Sequence, residues 1–523
     1  MQENPKNKLG QYFTPTIVAD FMISLANINP DAAILEPACG EGVFLDLLQQ
    51  KGFRNLTAYE IDPQLATAYS CVRYESFVAA TSEEKYDLVI GNPPYIRWKN
   101  LEARLKEELT ENPLWNQYFN SLCDYLYIFI LKSIECLKEN GQLIFICPEY
   151  WMNTTHSLSL RNYMVEKGYF EKIFHFNETP IFDNATISVV IFKYVKSQKA
   201  AKPNIEVAKY YQKKALNLEV LKEMNQSKSG HPDIQKFSIP PFEVHQRWLL
   251  ISEKERGEVE EFEKACVDLT GKDEGLKENY DTIGDVCEIG NGMVSGLDKA
   301  FQLEGQLLDE MEVQHSIQVV KAKHLRPFHY QQTTPYLFVN GVKSEEELKT
   351  HFPNFYEKLQ PFKTQLQKRY QYNRLIPYWN WVFLRNYKLF ASDKPRIFVP
   401  CKERISNKDY FRFAYVGSGI FPTQDVTALF LKETTKESIY YVLAFLNHPK
   451  VFHWLRNKGI VKGSIVEFSE KPLSSIPFRK INWANPTEVK WHGEISRLTL
   501  QYLQNELKGE AERVNVLLDK LLK

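Results

Sequence analysis

Asn92-Pro93-Pro94-Tyr95 is the stretch whose residue types point most directly to chemistry. It follows the apolar run Tyr86–Ile90 and Gly91, so it caps a predicted strand. Two consecutive prolines stiffen the backbone and remove two N–H donors, leaving carbonyl oxygens directed outward. The side-chain carbonyl of Asn92 and the main-chain carbonyl of Pro93 can then both accept hydrogen bonds from one amino group. Tyr95 offers a flat face on which a base can stack. The exocyclic amine of adenine is a poor nucleophile, because its lone pair is delocalised into the ring. Accepting both of its hydrogens pushes the nitrogen toward tetrahedral geometry and localises the lone pair for attack on an electrophilic methyl. A plain proline turn at a strand end is the competing reading.

A second cluster lies upstream. The short apolar strand Ala32–Leu35 runs into Glu36-Pro37-Ala38-Cys39-Gly40-Glu41-Gly42, a tight turn that lets the backbone approach a cofactor closely. Glu60 ends the next strand, 20 residues after Gly40, where an acidic side chain can accept hydrogen bonds from ribose hydroxyls. An ordinary turn and a solvated glutamate are the alternatives. Together the pair favours an adenosine-type cofactor.

The elements that must hold these residues read as alternating strand and helix. Thr14 is expected as the N-cap and Pro15 as the first residue of a helix running to Asn27. Helix Val43–Gln50, strand Leu56–Ile61, a helix after Pro63 and strand Tyr86–Ile90 follow. A long helix over about Gln117–Lys138 leads to strand Gln142–Cys147, with closing strands at Phe170–Phe176 and Ile187–Tyr194. This alternation predicts an α/β fold: a Rossmann-like, mostly parallel sheet with helices on both faces and ligands at the strand ends. Lys196–Lys236 reads as a linker or peripheral elaboration, after which the rhythm is lost. The expected domains are residues 1–225, catalytic, and 226–523, a separate α+β unit ending in an amphipathic helical segment from Asn485 that packs on its own domain.

At 523 residues the chain has room for two or three cores. No apolar run approaches the ~20 residues that span a bilayer. The polar start, Met1–Leu9, lacks a secretory signal, and eight scattered cysteines without a CxxC pair suit a reducing compartment, so a cytoplasmic location is expected. Net charge is zero overall but divides unevenly. Residues 1–200 carry 18 Lys and Arg against 24 Asp and Glu, whereas residues 321–480 carry 27 against 12. Such a basic block suggests a polyanion partner. Between Phe352 and Tyr415 aromatics alternate with cations, among which Lys368, Arg369, Arg374, Arg385 and Lys388 are candidates for contact with nucleic acid. Gly290-Asn291-Gly292 and Lys462-Gly463-Ser464 are phosphate loops or plain turns.

Four motifs in order carry a resemblance: Gln11-Tyr12-Phe13-Thr14-Pro15, Leu35-Glu36-Pro37-Ala38-Cys39-Gly40, Glu60-Ile61-Asp62-Pro63 and Asn92–Tyr95. Over about residues 8–195 the chain resembles the gamma group (TaqI type) of N6-adenine DNA methyltransferases. The resemblance implies an S-adenosylmethionine-dependent enzyme that rotates an adenine out of double-stranded DNA and methylates it. Thr14, Glu36, Ala38 and Gly40 would then surround the methionine part of the cofactor, with Glu60 at its ribose and Ile61 and Phe77 at its adenine. Asn92, Pro93, Pro94 and Tyr95 would form the catalytic loop, Asn92 also bordering the cofactor. Phe182 would flank the target base opposite Tyr95. The family usually has Asp-Phe where this chain has Ser76-Phe77 preceded by Glu75, so the roles of Glu75 and Ser76 stay open. A host-protecting role, a separately encoded restriction endonuclease and a monomeric state are further implications.

Other functions compete. Carbon-5 cytosine methylation needs a thiolate, but the chain's only Pro-Cys, Pro400-Cys401, lies in the basic second half and reads as structural. No His/Cys/Glu cluster at metal-ligand spacing is seen, so no catalytic metal is expected. A fused nuclease is disfavoured: about ten residues precede the first motif, and Pro232-Asp233 is far from Glu347-Leu348-Lys349. Amino-methylation of cytosine N4, RNA or a protein glutamine remains as an alternative.

Overall fold

A computed structural model describes residues 12–523 apart from 66–67, 82, 183–187, 213, 227–229, 268–279, 304, 306–307, 373, 406–407, 463–464 and 506–507. Gln11, Asp183, Asn184, Ile187, Gly463 and Ser464, which carry parts of the sequence reading, lie outside the described residues. Two compact units are present, one ending at Arg256 and one made of Gly257–Val461 with Ile465–Lys523.

The central strand stretches Leu88–Ile90 and Leu143–Cys147 of the first unit are apolar in unbroken runs because both faces of its sheet are covered there. The strands are β1 (Ile34–Glu36), β2 (Leu56–Tyr59), β3 (Val72–Arg73), β4 (Tyr86–Gly91), β5 (Leu137–Pro148), β6 (Gly168–His175), β7 (Val189–Lys196), β8 (Ile205–Tyr210) and β9 (Ile234–Ile239). Their order is β3-β2-β1-β4-β5-β7-β6-β8-β9. From β3 to β5 all pairs are parallel, while β7 runs antiparallel to β5 and β6, and β9 antiparallel to β8. The helices are α1 (Thr16–Ser24), α2 (Val43–Gln50), α3 (Ala103–Glu111), α4 (Pro113–Tyr118), α5 (Tyr125–Cys136), α6 (Leu158–Lys167) and α7 (Leu218–Asn225).

Successive strand side chains enter opposite cores. Leu35, Val89, Leu143 and Phe145 pack with Leu105, Trp115, Leu126 and Leu160 from α3 to α6. Ile34, Leu88, Ile90 and Ile144 pack with Met22, Phe44 and Leu221 from α1, α2 and α7. Each fully buried Leu or Ile contributes roughly 1.5–3 kcal/mol, so a one-residue slip of β1 or β4 would exchange two filled cores.

Several boundaries differ from expectation for local reasons. Thr14 is not the N-cap of α1: Pro15, extended at φ −58° and ψ 141°, holds that position and Thr14 lies buried one residue earlier. The long helix expected over 117–138 is broken, because Asn112 caps α4 and Asp124 accepts from the Leu126 N–H to cap α5. The stretch Lys196–Lys236 holds β8, α7 and the start of β9, so the sheet continues past residue 225.

In the second unit an antiparallel sheet aligns Cys287–Asn291, Val426–Leu431, Arg396–Pro400 and Ala414–Val416 in that spatial order. Gly290 and Asn291 sit in this sheet, and a Cβ on Gly292 would lie 2.1 Å from the Thr423 carbonyl oxygen. Close backbone approach, rather than a phosphate, therefore accounts for Gly292. The amphipathic segment after Asn485 forms two helices, Pro486–Asn505 and Lys508–Leu521. The first is fastened within the unit by Ser438 N donating to His492 Nε2 (3.1 Å) and by the Arg479–Glu488 ion pair (3.0 Å). Among the described residues no helix is long and apolar enough to cross a membrane.

Gly42 caps α2 at φ +90°, and a Cβ there would lie 2.5 Å from the Tyr69 ring. Gly42→Ala should lower the melting temperature of the first unit, a left-handed non-glycine residue costing about 1–3 kcal/mol. Thermal unfolding followed by circular dichroism checks this.

Candidate active site

β1 lies between β2 and β4, the point where the chain changes direction across the sheet. Loops leaving neighbouring strand ends diverge there and open a crevice. Glu36 ends β1, and Asn92 follows β4 directly. A cavity of about 250 Å³ opens beside them. Its wall includes Thr14 before α1, Glu36, Ala38 and Gly40 from the β1–α2 turn, Glu60 and Ile61 after β2, then Phe77, Asn92 and Pro94. The eight residues expected around a cofactor thus border one space. Pro93, Tyr95 and Phe182 are not part of that wall.

The polar groups of this cavity are strongly constrained. Glu60 accepts the Gly40 N–H on Oε2 (2.8 Å) and the Asp62 N–H on Oε1 (2.9 Å). Cys39 N donates to the Tyr59 carbonyl (2.9 Å), so the β1 turn is fastened to β2 twice. Each oxygen of Glu60 retains a lone pair for a further donor. Glu36 is 1% exposed and its Oε2 has no hydrogen-bond partner. Burial, and secondly the neighbouring Glu60 charge, push the Glu36 carboxyl well above the ordinary carboxylate range. An unpaired buried oxygen beside a cavity suits a ligand that brings a donor, best a cationic one.

Glu75 and Ser76 also border the cavity. Ser76 Oγ donates to the Glu108 carboxylate on α3, while Glu75 is exposed. Phe77 is buried between Tyr59 (ring centroids 5.4 Å) and Phe129 (5.5 Å).

Asn92 is oriented by Tyr12. Its Nδ2 donates to the Tyr12 carbonyl at 2.7 Å, which leaves Oδ1 as the group available to accept. The Tyr95 hydroxyl donates to that Oδ1 and lies 3.1 Å from the Ile146 carbonyl of β5. Burial pushes the Tyr95 phenol well up, so it stays a neutral donor. Three rings meet here: Tyr12 stacks on Tyr95 (5.4 Å, 21°) and leans on Phe182 (5.5 Å), with Tyr95 and Phe182 at 6.3 Å. Sequence reasoning quoted Tyr12 within a motif and gave it no role. The available signal was its place two residues before Thr14. The Glu108 contact to Ser76, 32 residues away, had no sequence signal.

In the second unit Lys368, Arg374 and Lys388 are exposed and Arg385 is half-buried. Arg369, expected as a nucleic-acid contact, is turned inward: it donates to the carbonyls of Ser295 (2.9 Å), Pro377 (3.1 Å) and Asn380 (2.5 Å). Among the described residues no group of three or more His, Cys, Asp or Glu is placed to hold a metal ion.

Known proteins resemble this chain over its whole length. Residues 45–182 match the Eco57I restriction-modification methylase family, and residues 1–62 match the N-6 DNA methylase family. The type II methyltransferase M.HindII of Haemophilus influenzae is 46% identical over 526 residues, spanning 100% of this chain and 99% of its own. M.HincII, also of Haemophilus influenzae, is 44% identical over 521 residues with the same coverage. The structure of the type IIL restriction-modification enzyme MmeI, solved in complex with DNA, superposes with a TM-score of 0.59 at 12% identity. It covers 97% of this chain and 72% of that one, a likeness of fold.

If Glu36 receives the ammonium group of S-adenosylmethionine, only its ionised form binds well. Its raised pKa then makes affinity increase as pH rises through that pKa and fall below it. Glu36→Gln should weaken binding by about 10- to 100-fold above that pKa, the worth of a hydrogen bond between charged groups, and should flatten the pH dependence. Isothermal titration calorimetry across pH reads both.

Proposed function

The chain belongs to the type II DNA methyltransferases of restriction–modification systems, and from that premise we propose that it methylates the N6 amino group of an adenine in the manner of the gamma, TaqI-like group. The observation that carries this reading is Asn92: its Nδ2 is held by the Tyr12 carbonyl, so its Oδ1 is oriented as an acceptor beside the cavity.

The cavity suits S-adenosylmethionine by its donor set. Glu36, with an unpartnered buried oxygen, would take the ammonium group, with Thr14, Ala38 and Gly40 around the methionine part. Glu60 would hold the ribose on its remaining lone pairs, Ile61 and Phe77 would enclose the adenine, and Ser76, backed by Glu108, would replace the family's usual aspartate. When bound, the cofactor supplies an electrophilic sulfonium methyl.

The remaining work falls to this chain. Tyr95 and Phe182 stack the extruded adenine, and since Tyr12 already touches both rings, insertion of the base displaces the Tyr12 ring. The adenine amine takes the place of the Tyr95 hydroxyl on Asn92 Oδ1 and donates its second hydrogen to the Pro93 carbonyl. Both acceptors draw the amine out of conjugation, and Pro94 stiffens the loop. The first unit carries this chemistry and the second recognises duplex DNA, with Lys368, Arg374, Arg385 and Lys388 as phosphate or base-edge contacts. The enzyme acts as a monomer in the cytoplasm and protects sites from a separately encoded endonuclease.

Labelled S-adenosylmethionine incubated with unmodified duplex DNA, followed by digestion to nucleosides, tests the reading. N6-methyladenine is expected. N4-methylcytosine, or no label in DNA, would overturn it.

A further inference from the structure

The two rings that would hold the target base stand on different loops of the first unit, and one strand fastens both. The Tyr95 hydroxyl reaches the carbonyl of Ile146 near the end of β5 (3.1 Å). Phe182 lies between β6 and β7, on a loop whose neck is closed by the Phe176 N–H on the Val189 carbonyl (3.1 Å). Three residues beyond Ile146, the Glu149 N–H donates to the Ser188 carbonyl (3.1 Å). The returning limb of that loop is thereby tied to the end of β5.

Side chains repeat the connection. β7 lies between β5 and β6, with Val189 opposite Pro148 and Val190 opposite both Cys147 and His175. Glu149 and His175 therefore flank the start of β7, and the Glu149 carboxylate meets His175 Nε2 there. Their side chains are only 12% and 10% exposed. The Asn177 N–H donates to His175 Nδ1 (3.2 Å), which marks Nδ1 as the bare nitrogen and leaves Nε2–H to donate to the carboxylate. Farther along the loop, Asn177 Nδ2 donates to the Tyr210 carbonyl at the end of β8 (2.7 Å) and Thr179 Oγ1 to the Gln212 carbonyl (2.6 Å).

Burying a carboxylate against an imidazole incurs a desolvation cost that apolar residues of similar volume would avoid. What such a pair adds is direction, because a hydrogen bond fixes a distance and an angle. We propose that Glu149 and His175 form a clamp that sets Phe182 against Tyr95 for the target base, so that β5 holds both walls of the base pocket. The clamp rests on the reading of Tyr95 and Phe182 as the rings that stack an extruded adenine. Glu149 and His175 are positioning residues: neither lines the cofactor cavity, and both act through Phe182. A small displacement is enough to matter, since a radial gap of about 0.5–1 Å forfeits a quarter to a half of a dispersion contact.

A double-mutant cycle on Glu149 and Phe182 tests the clamp. Its readout is the dissociation constant for a short duplex in which the target adenine, mapped beforehand on methylated plasmid, faces an abasic position. Glu149→Ala should weaken this duplex about tenfold, within the worth of one base–aromatic stacking contact. In a Phe182→Leu background, with no ring left to position, the same substitution should add little. Glu149→Gln, which keeps an acceptor for His175 Nε2–H, should recover most of the loss. Affinity for S-adenosylmethionine should stay within a few-fold throughout, which also verifies the fold. His175→Ala, cycled against Phe182→Leu in the same way, is the second variant and should behave like Glu149→Ala. Equal weakening in both backgrounds, or a parallel loss of cofactor affinity, overturns the clamp and leaves the pair a structural contact. Wild-type protein that methylates no adenine in this duplex would instead overturn the reading on which the clamp rests.

Discussion

Parallel pairing of β1 with β4, Ile34 opposite Leu88 and Leu35 opposite Val89, is the constraint on which the active site depends. It makes two sequence-distant segments leave the sheet side by side, one carrying Glu36 and the other Asn92. The register cannot drift, because alternate residues of both strands fill separate cores. Glu60 adds the third side: one of its oxygens accepts the Gly40 N–H and draws that turn onto the end of β2, while the other accepts the Asp62 N–H. The acceptor at Asn92 and the unpaired oxygen at Glu36 are therefore positioned by sheet geometry before any ligand arrives.

The same site meets Asn92 with a neutral, replaceable partner and leaves one oxygen of Glu36 unpaired. Asn92 Oδ1 is met by a tyrosine hydroxyl, and burial favours the protonated form of Glu36. Three aromatic rings close on one another where a base would stack. Each of these contacts can be exchanged for a ligand contact of the same kind or stronger. A buried acceptor left bare would be destabilising by a few kcal/mol, a cost that the Tyr95 hydroxyl removes at Asn92 Oδ1. Tyr12 links both halves of the site, its carbonyl orienting Asn92 and its ring lying against Tyr95 and Phe182.

Strand ends were readable from sequence because apolar runs stop abruptly at polar, glycine- or proline-containing turns. That placed Glu36, Glu60 and Asn92 near their positions and gave α2 its observed bounds, Val43–Gln50. What depended on distant contacts was not readable. Thr14 has the residue type of a cap, but Pro15 holds the cap position and Thr14 faces the cavity instead. The interruption between α4 and α5 is set by Asp124, which caps α5 from inside the span expected to be one helix. Arg369 sits among cations in sequence, and only its three carbonyl partners distinguish it as structural. Charge and residue type identify candidates, whereas burial decides which of them face outward.

The most direct measurement is the methyl-transfer rate of Asn92→Ala on its DNA substrate, taken beside its dissociation constant for S-adenosylmethionine. With the oriented acceptor removed and Glu36, Glu60 and Phe77 intact, turnover should fall by about 10²–10³, the effect of deleting one preorganised polar contact to a reacting group. Cofactor affinity should stay within a few-fold of wild type. Turnover near the wild-type rate would contradict the role of Asn92 as the acceptor that prepares the amine.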